Sequence, residues 1–459
     1  MCDARAAGTR LAEPRTSWDA SRTYRQLVIL VAFNDQDFSM DNPNEYYNNL
    51  FNQKNYNERE ANGCVADYFR DQSNGMFNPQ FDIIGPVHVD QSAKTKYNND
   101  GHDAYVEASK KVVDSLKVDF SPYDWDGDKY VDQVIFISAG YCANTPAGVT
   151  NMEGWLWPNT GYLYPTVKSS DGYTIRIASC CAEKWYNEIP CGLGTICHEY
   201  SHCFGLPDLY PTDKSSFSVV DEWDLMDGGN YTCWGWSPPN YSAEEKYRLG
   251  WLTPEEVSAS TKVRSLKPSA KGGKVYRSKI TADEYYLLEN RQQTGWDRGL
   301  PGKGLLVTYT NFSSYVWRGN SVNGSAGNRY DIIHADGMTY DDWNNYILTT
   351  GMSDYEDDDN RFRQHHLMTA AYPLKNETVD VHECSLAPYS FTNITMDAQG
   401  LISFDVVAGE TAIRDASLEP AAVPDAWYNL RGQRLPGKPQ SQGLYIIRYT
   451  NGKTKKILL

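Results

Sequence analysis

Two histidines, a glutamate and an aspartate crowd the stretch CGLGTICHEYSHCFGLPD, residues 191–208. His198 and His202 stand four positions apart, so on a helix both imidazoles leave the same face, one turn from each other. Two neutral imidazoles at that spacing can grip one zinc ion. Glu199 leaves the same turn at another angle, better placed to act as a base toward a water that the ion acidifies than to compete for the metal. Gly205 falls where a helix commonly stops in a left-handed conformation, and Leu206 and Pro207 keep it from resuming. The reversed chain can then bring back Asp208 as a third ligand, completing HExxHxxGxxD. Glu222 is a rival third ligand, at a separation that other zinc peptidases use; its context, DEWDLM, reads as a loop before a turn, which favours Asp208. This donor set implies hydrolysis of internal peptide bonds in protein or peptide substrates, with Glu199 moving the proton.

Other residues join this set with less specific signals. Met226, in SVVDEWDLMDGGNY, is placed to form a soft apolar floor under a metal site. Tyr231 is a candidate hydrogen-bond donor to a developing oxyanion. Asp124, Asp126, Asp128 and Asp132 alternate through the glycine-containing turn DWDGDKYVD, which suits either calcium or a hydrogen-bonded Asx turn. Glu183 is a candidate for holding a substrate amine or capping the helix. Residues 173–180, YTIRIASC, read as a strand just before the helix; similarity to the general plan of zinc peptidases implies an edge strand there, which a substrate backbone joins. Cys180, Cys181, Cys191, Cys197, Cys203 and Cys233 crowd the same region without a CxxC pair, which points to disulfides pinning the helix or to buried thiols rather than to a thiolate zinc site. Cys2 is a candidate lipidation site or latency thiol.

These residues need a scaffold, and the 459-residue chain is long enough for two large units and a small third. A formal net charge of -16 disfavours nucleic acid and anionic membranes as partners. No apolar run reaches the length of a transmembrane segment. RQLVILVAF (25–33) reads as a buried strand, EYYNNLF, VADYFRDQS and 102–116 as helices, FNPQFDIIGPVHV as strand, turn and strand, and SAEEKYRLGWL as a capped helix ending at Gly250. From about Thr261 short alternating strands take over: KVYRSKI, YYLLENR, GKGLLVTYT and LISFDVV. The fold class is therefore α+β. The expected layout is an N-terminal tail at 1–24, a catalytic domain at 25–258 with a mixed sheet and the active-site helix, a mainly β domain at 259–408, a linker at 409–425 and a short β tail at 426–459. DYEDDD, 354–359, is a charge run that reads as solvated loop or a second calcium site. The N-terminus shows no apolar leader. A rival from another class is a surface adhesin or glycan-binding protein with an idle peptidase fold, suggested by 13 Trp and 33 Tyr.

The stretch HEYSHCFGLPDLY, with GLGT before it and WDLM after it, resembles the immune inhibitor A-like family of secreted zinc metallopeptidases. LVILVAF, DYFRDQSNGMFNPQFDIIGP, DWDGDKYVD, WLWP, AEEKYRLGWL and EYYLLENRQQTGWDRGLPGKGLL are similar to it as well, so the likeness runs from about residue 25 to 408. It implies a metzincin-like catalytic domain, zinc on His198, His202 and Asp208, Glu199 as base, Met226 as the Met-turn, and a secreted or cell-surface location. Ser201 and Tyr309 depart from the family pattern, which tends to have glycine and histidine there. The tail at 426–459 resembles the C-terminal sorting domain of type IX secretion in Bacteroidetes-like bacteria, implying that export machinery as a partner.

Overall fold

In the computed structural model of the chain, the apolar run Tyr24–Ala32 is a strand, β1, buried at every position but Arg25. It is hydrogen-bonded on both sides, to β2 (Pro79–His88) and to β3 (Val134–Tyr141), and both pairings are parallel. A strand covered on both faces needs this near-continuous apolar composition. The structure describes residues 11–94, 101–144, 154–185, 187–214, 218–337, 370–375 and 380–409, and within the tail 424–429, 434–435, 437–439, 444–449 and 454–458. Cys2 and the acidic run 354–359 lie outside the described residues.

Helices α1 (Pro43–Asn52) and α2 (Val65–Gln72) fall where the apolar spacing places them, and both carry capping side chains, Asn42 and Cys64. α3 (His102–Lys111) continues into one wider turn, Val112–Leu116. The expected strand, turn and strand around Gly85 is instead a single strand, β2, with a register shift against β1 between Ile29 and Val31. Gly85 sits at φ 107°, where a Cβ would lie 2.6 Å from the Leu30 carbonyl oxygen. Glycine thus lets the two backbones stay paired where another residue would end the strand.

The sheet is completed by β4 (Asn159–Lys168) and β5 (Thr174–Lys184), in the order β2-β1-β3-β5-β4. β5 is parallel to β3, and β4 is antiparallel to β5. The expectation that 173–180 forms the edge strand is therefore corrected. β5 is interior, with its residues Ser179 to Lys184 buried, and the edge belongs to β4. An apolar, small-residue run such as IASCCA suits an interior strand, and that pattern was the available signal.

After the active-site helix α4 (Leu193–Ser201) comes α5 (Ala243–Arg248), which opens with the capping box Ser242 and Glu245 and is followed by Gly250 at φ 69°. The remainder of the first compact unit is β-rich. β6 (Glu255–Glu256), β7 (Lys262–Leu266), β8 (Tyr276–Lys279), β9 (Glu284–Arg291), β10 (Gly304–Asn311) and β11 (Tyr330–Ile332) precede the ribbon β12 (Leu374–Lys375) and β13 (Asp380–Val381). β14 (Cys384–Leu386), β15 (Tyr389–Met396) and β16 (Ile402–Ala408) close it. One sheet runs β11-β10-β9-β8-β6, the other β14-β15-β16-β7. Val263, Leu288, Val307, Phe391 and Phe404 fill a common core between them. Helix α5 is tied to β9 by Glu289, which accepts the Ala243 N–H at 3.0 Å. Buried Arg291 pairs with Asp297 at 2.7 Å and donates to the Asn240 carbonyl.

The stretch expected as a tail is packed from Leu11 onward. Leu11 N–H donates to the Arg318 carbonyl, Arg15 N–H to Phe204, and Trp18 Nε1 to Leu249. The Trp18 ring lies among Phe77, Phe204 and Trp251. The second compact unit, from residue 410 on, holds β17 (Pro424–Tyr428), β18 (Arg434–Leu435), β19 (Leu444–Tyr449) and β20 (Thr454–Leu458) in one antiparallel sheet. Among the described residues, no helix is long and apolar enough to cross a membrane.

Candidate metal centre

Helix α4 is buried along its whole length. Its first turn has no room for side chains on one face. A Cβ on Gly192 would lie 2.2 Å from the Gly235 carbonyl oxygen, and one on Gly194 would lie 2.1 Å from that of Asn230. The GLGT sequence therefore lets the helix start lie directly against the segment Gly228–Gly235. At its other end the helix tightens through one 3-10 turn, His202–Phe204, and stops at Gly205, φ 87°. A Cβ there would meet the Ala12 carbonyl at 2.7 Å, so both the left-handed backbone and the close approach require glycine.

That stop turns the chain so that His202 Nδ1 lies 2.8 Å from the Leu206 carbonyl oxygen. His198 Nδ1 lies 2.8 Å from the carbonyl of Leu225, in the turn that carries Met226. A carbonyl only accepts, so each Nδ1 carries the proton and each Nε2 presents its lone pair. Both Nε2 atoms face Asp208: Oδ1 is 3.1 Å from that of His198 and 3.4 Å from that of His202. His202 Nε2 is enclosed by protein and makes no hydrogen bond. Three lone-pair atoms converging this way repel one another unless a cation lies between them. The two distances to Asp208 match the roughly 3.3 Å between neighbouring ligands of a tetrahedral ion at bond lengths of about 2.0 to 2.1 Å, and all three atoms lie within 4.8 Å of one another. The residues fit a zinc-sized divalent cation.

The charges of the site point the same way. Burial alone would raise the Asp208 pKa, but the positive charge that His202 and His198 carry when protonated holds it well below the ordinary carboxylate range. Burial is the largest influence on His202 and lowers its pKa, but Asp208, Glu199 and the Leu206 carbonyl together raise it to about 9. The pocket is thus built to hold positive charge beside Asp208, and a proton competes with a metal for it. Glu199 is raised by burial, against the pull of His198 and His202.

Two residues that sequence reasoning missed hold this group. Thr160 Oγ1, on edge strand β4, lies 3.0 Å from Glu199 Oε2 and 2.7 Å from the Glu199 carbonyl oxygen. The other carboxylate oxygen, Oε1, is enclosed without a hydrogen-bond partner. Asn320 donates from Nδ2 to Asp208 Oδ2 and accepts the Asp208 N–H on Oδ1, both at 2.6 Å. It follows α6 (Ser314–Arg318), whose Trp317 donates to the Gly205 carbonyl. His198, Glu199, His202 and Asp208 are each 1% exposed or less. In this form a polypeptide reaches them only after the chain packed over them moves.

Among the described residues the histidines group with Asp208, and the rival Glu222, half-buried beside Trp223, is not in that group. Met226 is fully buried, and its carbonyl accepts the Leu209 N–H, which ties the turn to the chain just after Asp208. Tyr231 stacks on Trp185 with ring centroids 5.5 Å apart, and its hydroxyl accepts from Asn144 at 3.1 Å. Glu183 accepts from Ser39 N–H at 2.7 Å and Gly140 N–H at 3.1 Å, fastening the loop after β1 to the end of β3 rather than facing a substrate. Ser201, where the family pattern has glycine, turns into the core and donates to the Cys197 carbonyl. Tyr309 donates to Glu284.

Asp124, Asp126 and Asp128 do come together, but their oxygens already accept the N–H groups of Gly127, Asp128, Lys129 and Tyr130 as Asx turns. Asp132 stands apart from that group. It pairs with Arg15 at 3.2 Å, and burial pushes its pKa up to about 6. Among the described residues no disulfide joins the cysteines expected to pin the helix.

No family model matches the chain. Immune inhibitor A of Bacillus thuringiensis subsp. alesti is 24% identical to it over 273 residues, covering 49% of this chain and 39% of that protein. The relationship is distant, and the chain spans well under half of that relative's length.

Proposed function

We propose that the chain is a zinc-dependent endopeptidase of metzincin-like plan, related to the immune inhibitor A-like metallopeptidases. The observation that carries this reading is the convergence of His198 Nε2, His202 Nε2 and Asp208 Oδ1 beside Glu199. The parallel sheet with one antiparallel edge strand and the Met226 turn behind His198 support it. His198, His202 and Asp208 would hold a zinc ion, which when bound would supply Lewis-acid polarisation of the scissile carbonyl and acidification of water. Glu199 would take the proton and return it to the leaving amine. Thr160 fixes the carboxylate by one oxygen and leaves Oε1 for the proton. Tyr231, on the segment against the helix start, is the candidate oxyanion donor. An extended substrate would pair along β4, the edge strand that brings Thr160 to Glu199.

The test is digestion of a peptide library by the zinc-loaded protein, by the chelated protein and by the chelated protein with zinc restored. Cleavage at internal bonds in the first and third only is the expected result. Equal cleavage in all three, or none in any, overturns the reading. For the adhesin alternative, Trp223, Trp236, Trp251, Trp296 and Trp317 are in the core, which leaves it the exposed aromatics such as Trp234, Tyr164 and Tyr315. For residues 426–459 the sorting-module reading rests on sequence resemblance, and a reporter fused to this tail that stays unexported in a type IX host would remove it.

A further inference from the structure

Three cysteine side chains meet at the entrance to α4. Cys142 follows β3, Cys181 lies in β5, and Cys191 stands one residue before Gly192 at the helix start; their sulfurs lie within 4.8 Å of one another. Cys142 Sγ and Cys191 Sγ are 3.2 Å apart. Backbone bonds hold both where they are: Cys142 N–H donates to the Lys184 carbonyl at 2.7 Å and Cys191 N–H to that of Glu183 at 2.9 Å. The two residues thus hang from adjacent carbonyls at the end of one strand. Cys142 is fully enclosed, whereas Cys191 is partly exposed.

We propose that Cys142 and Cys191 form a reversible disulfide that clamps the start of the active-site helix to the end of β3, with Cys181 outside the bond. Two thiols this close need only a small side-chain rotation to bond, and the fixed backbones spare the main chain from moving. A three-thiolate metal site is disfavoured by the same distance, since thiolates on a zinc-sized ion at about 2.3 Å stand roughly 3.8 Å apart. The oxidant is a low-molecular-weight disulfide. Cys191, the accessible partner, attacks it as thiolate and releases one small thiol, giving a mixed disulfide. Cys142 then loses its proton, attacks the Cys191 sulfur and releases the second small thiol. Two thiols have been oxidised, one small disulfide has been reduced to two thiols, and the two protons pass to those leaving groups.

The consequence reaches the metal centre through packing. Gly192 and Gly194 leave no gap between the helix start and the segment from Gly228 to Gly235, so a helix start tied to β3 also fixes the segment that carries Tyr231. The bond closes a loop of about fifty residues, for which cross-linking restricts the unfolded chain substantially.

The experiment equilibrates the full chain with oxidised glutathione or with a phosphine reductant, then maps thiols by alkylation and mass spectrometry and records thermal melting. We expect a Cys142 to Cys191 cross-link with Cys181 alkylated, and a melting temperature higher by on the order of 5 °C in the oxidised sample. Cys142→Ser and Cys191→Ser should each abolish the redox shift, and Cys181→Ser should leave it intact. Free thiols at 142 and 191 under oxidising conditions overturn the proposal. So does a cross-link to Cys181, or a metal ion retained by the three thiols and lost in Cys181→Ser. These readouts do not require peptidase activity, so they stand or fall apart from the function proposed above.

Discussion

Asn320 meets Asp208 with both ends of one amide, donating to its carboxylate and accepting from its backbone N–H, each at 2.6 Å. The amide leaves Asp208 Oδ1 to face the histidines and holds the other oxygen away from them. Such outer partners orient a ligand and raise its affinity by about 10- to 100-fold. Asn320→Ala should therefore keep its fold, by circular dichroism and melting, while zinc affinity in a competition titration falls by that factor. An unchanged affinity would show that Asp208 needs no such support.

Glu199 and the metal ligands should separate cleanly. Glu199→Gln removes the base without touching the donor atoms, so zinc content should stay near one per chain while turnover falls by about a hundredfold to ten-thousandfold. Asp208→Ala should lose zinc, and Glu222→Ala should retain it. Metal analysis showing the reverse for the last two would reassign the third ligand.

How far the sequence carried can be judged from these same residues. His198, Glu199, His202, Gly205 and Asp208 lie within eleven positions, and local helix geometry with a glycine stop was enough to bring them together. Asn320 is over a hundred residues away, and Thr160 lies on a strand that precedes the helix, so neither has a local pattern linking it to the site. The edge strand was misplaced for a similar reason: alternation says that a segment is a strand, but its neighbours are decided by topology. Arg15, too, found Asp132 across a separation that periodicity does not span.

Burial of the four chemistry-bearing side chains has a kinetic consequence. A cation bound where each ligand is 1% exposed or less leaves only when the covering chain opens, so chelator-driven zinc loss should be slow and independent of chelator concentration at high excess. Stopped-flow release monitored with a metal-sensing dye checks this. Loss proportional to chelator at all concentrations would mean that the site is open in solution.

Asp227 offers a test by pH. It accepts from Ser218 Oγ and from the N–H groups of Val219, Val220 and Asp221, yet burial, reinforced by the nearby Asp221 charge, raises its pKa to about 6. Between the ordinary aspartate value and about 6 the folded chain holds a proton that the unfolded chain has lost, so Asp227 makes stability fall as pH rises through that window and flat above it. The loss is on the order of 1 to 3 kcal/mol. Asp227→Asn should flatten the profile, so that the difference in unfolding free energy between pH 4 and pH 6.5 becomes less negative than in the parent.

The helix start provides the sharpest steric test. A methyl group on Gly194 would sit 2.1 Å from the Asn230 carbonyl oxygen, a distance no side-chain adjustment relieves because the obstacle is backbone. Gly194→Ala must push the helix away from the segment carrying Tyr231, at a cost of about 2 to 3 kcal/mol. The other end of the helix keeps its anchors at Leu206 and Leu225, so the histidine tautomers and zinc content should survive in the fraction that folds. Chemical denaturation should then show reduced stability together with weakened turnover. A variant as stable and as active as the parent would mean that the packing of this segment on α4 is looser than the structure has it.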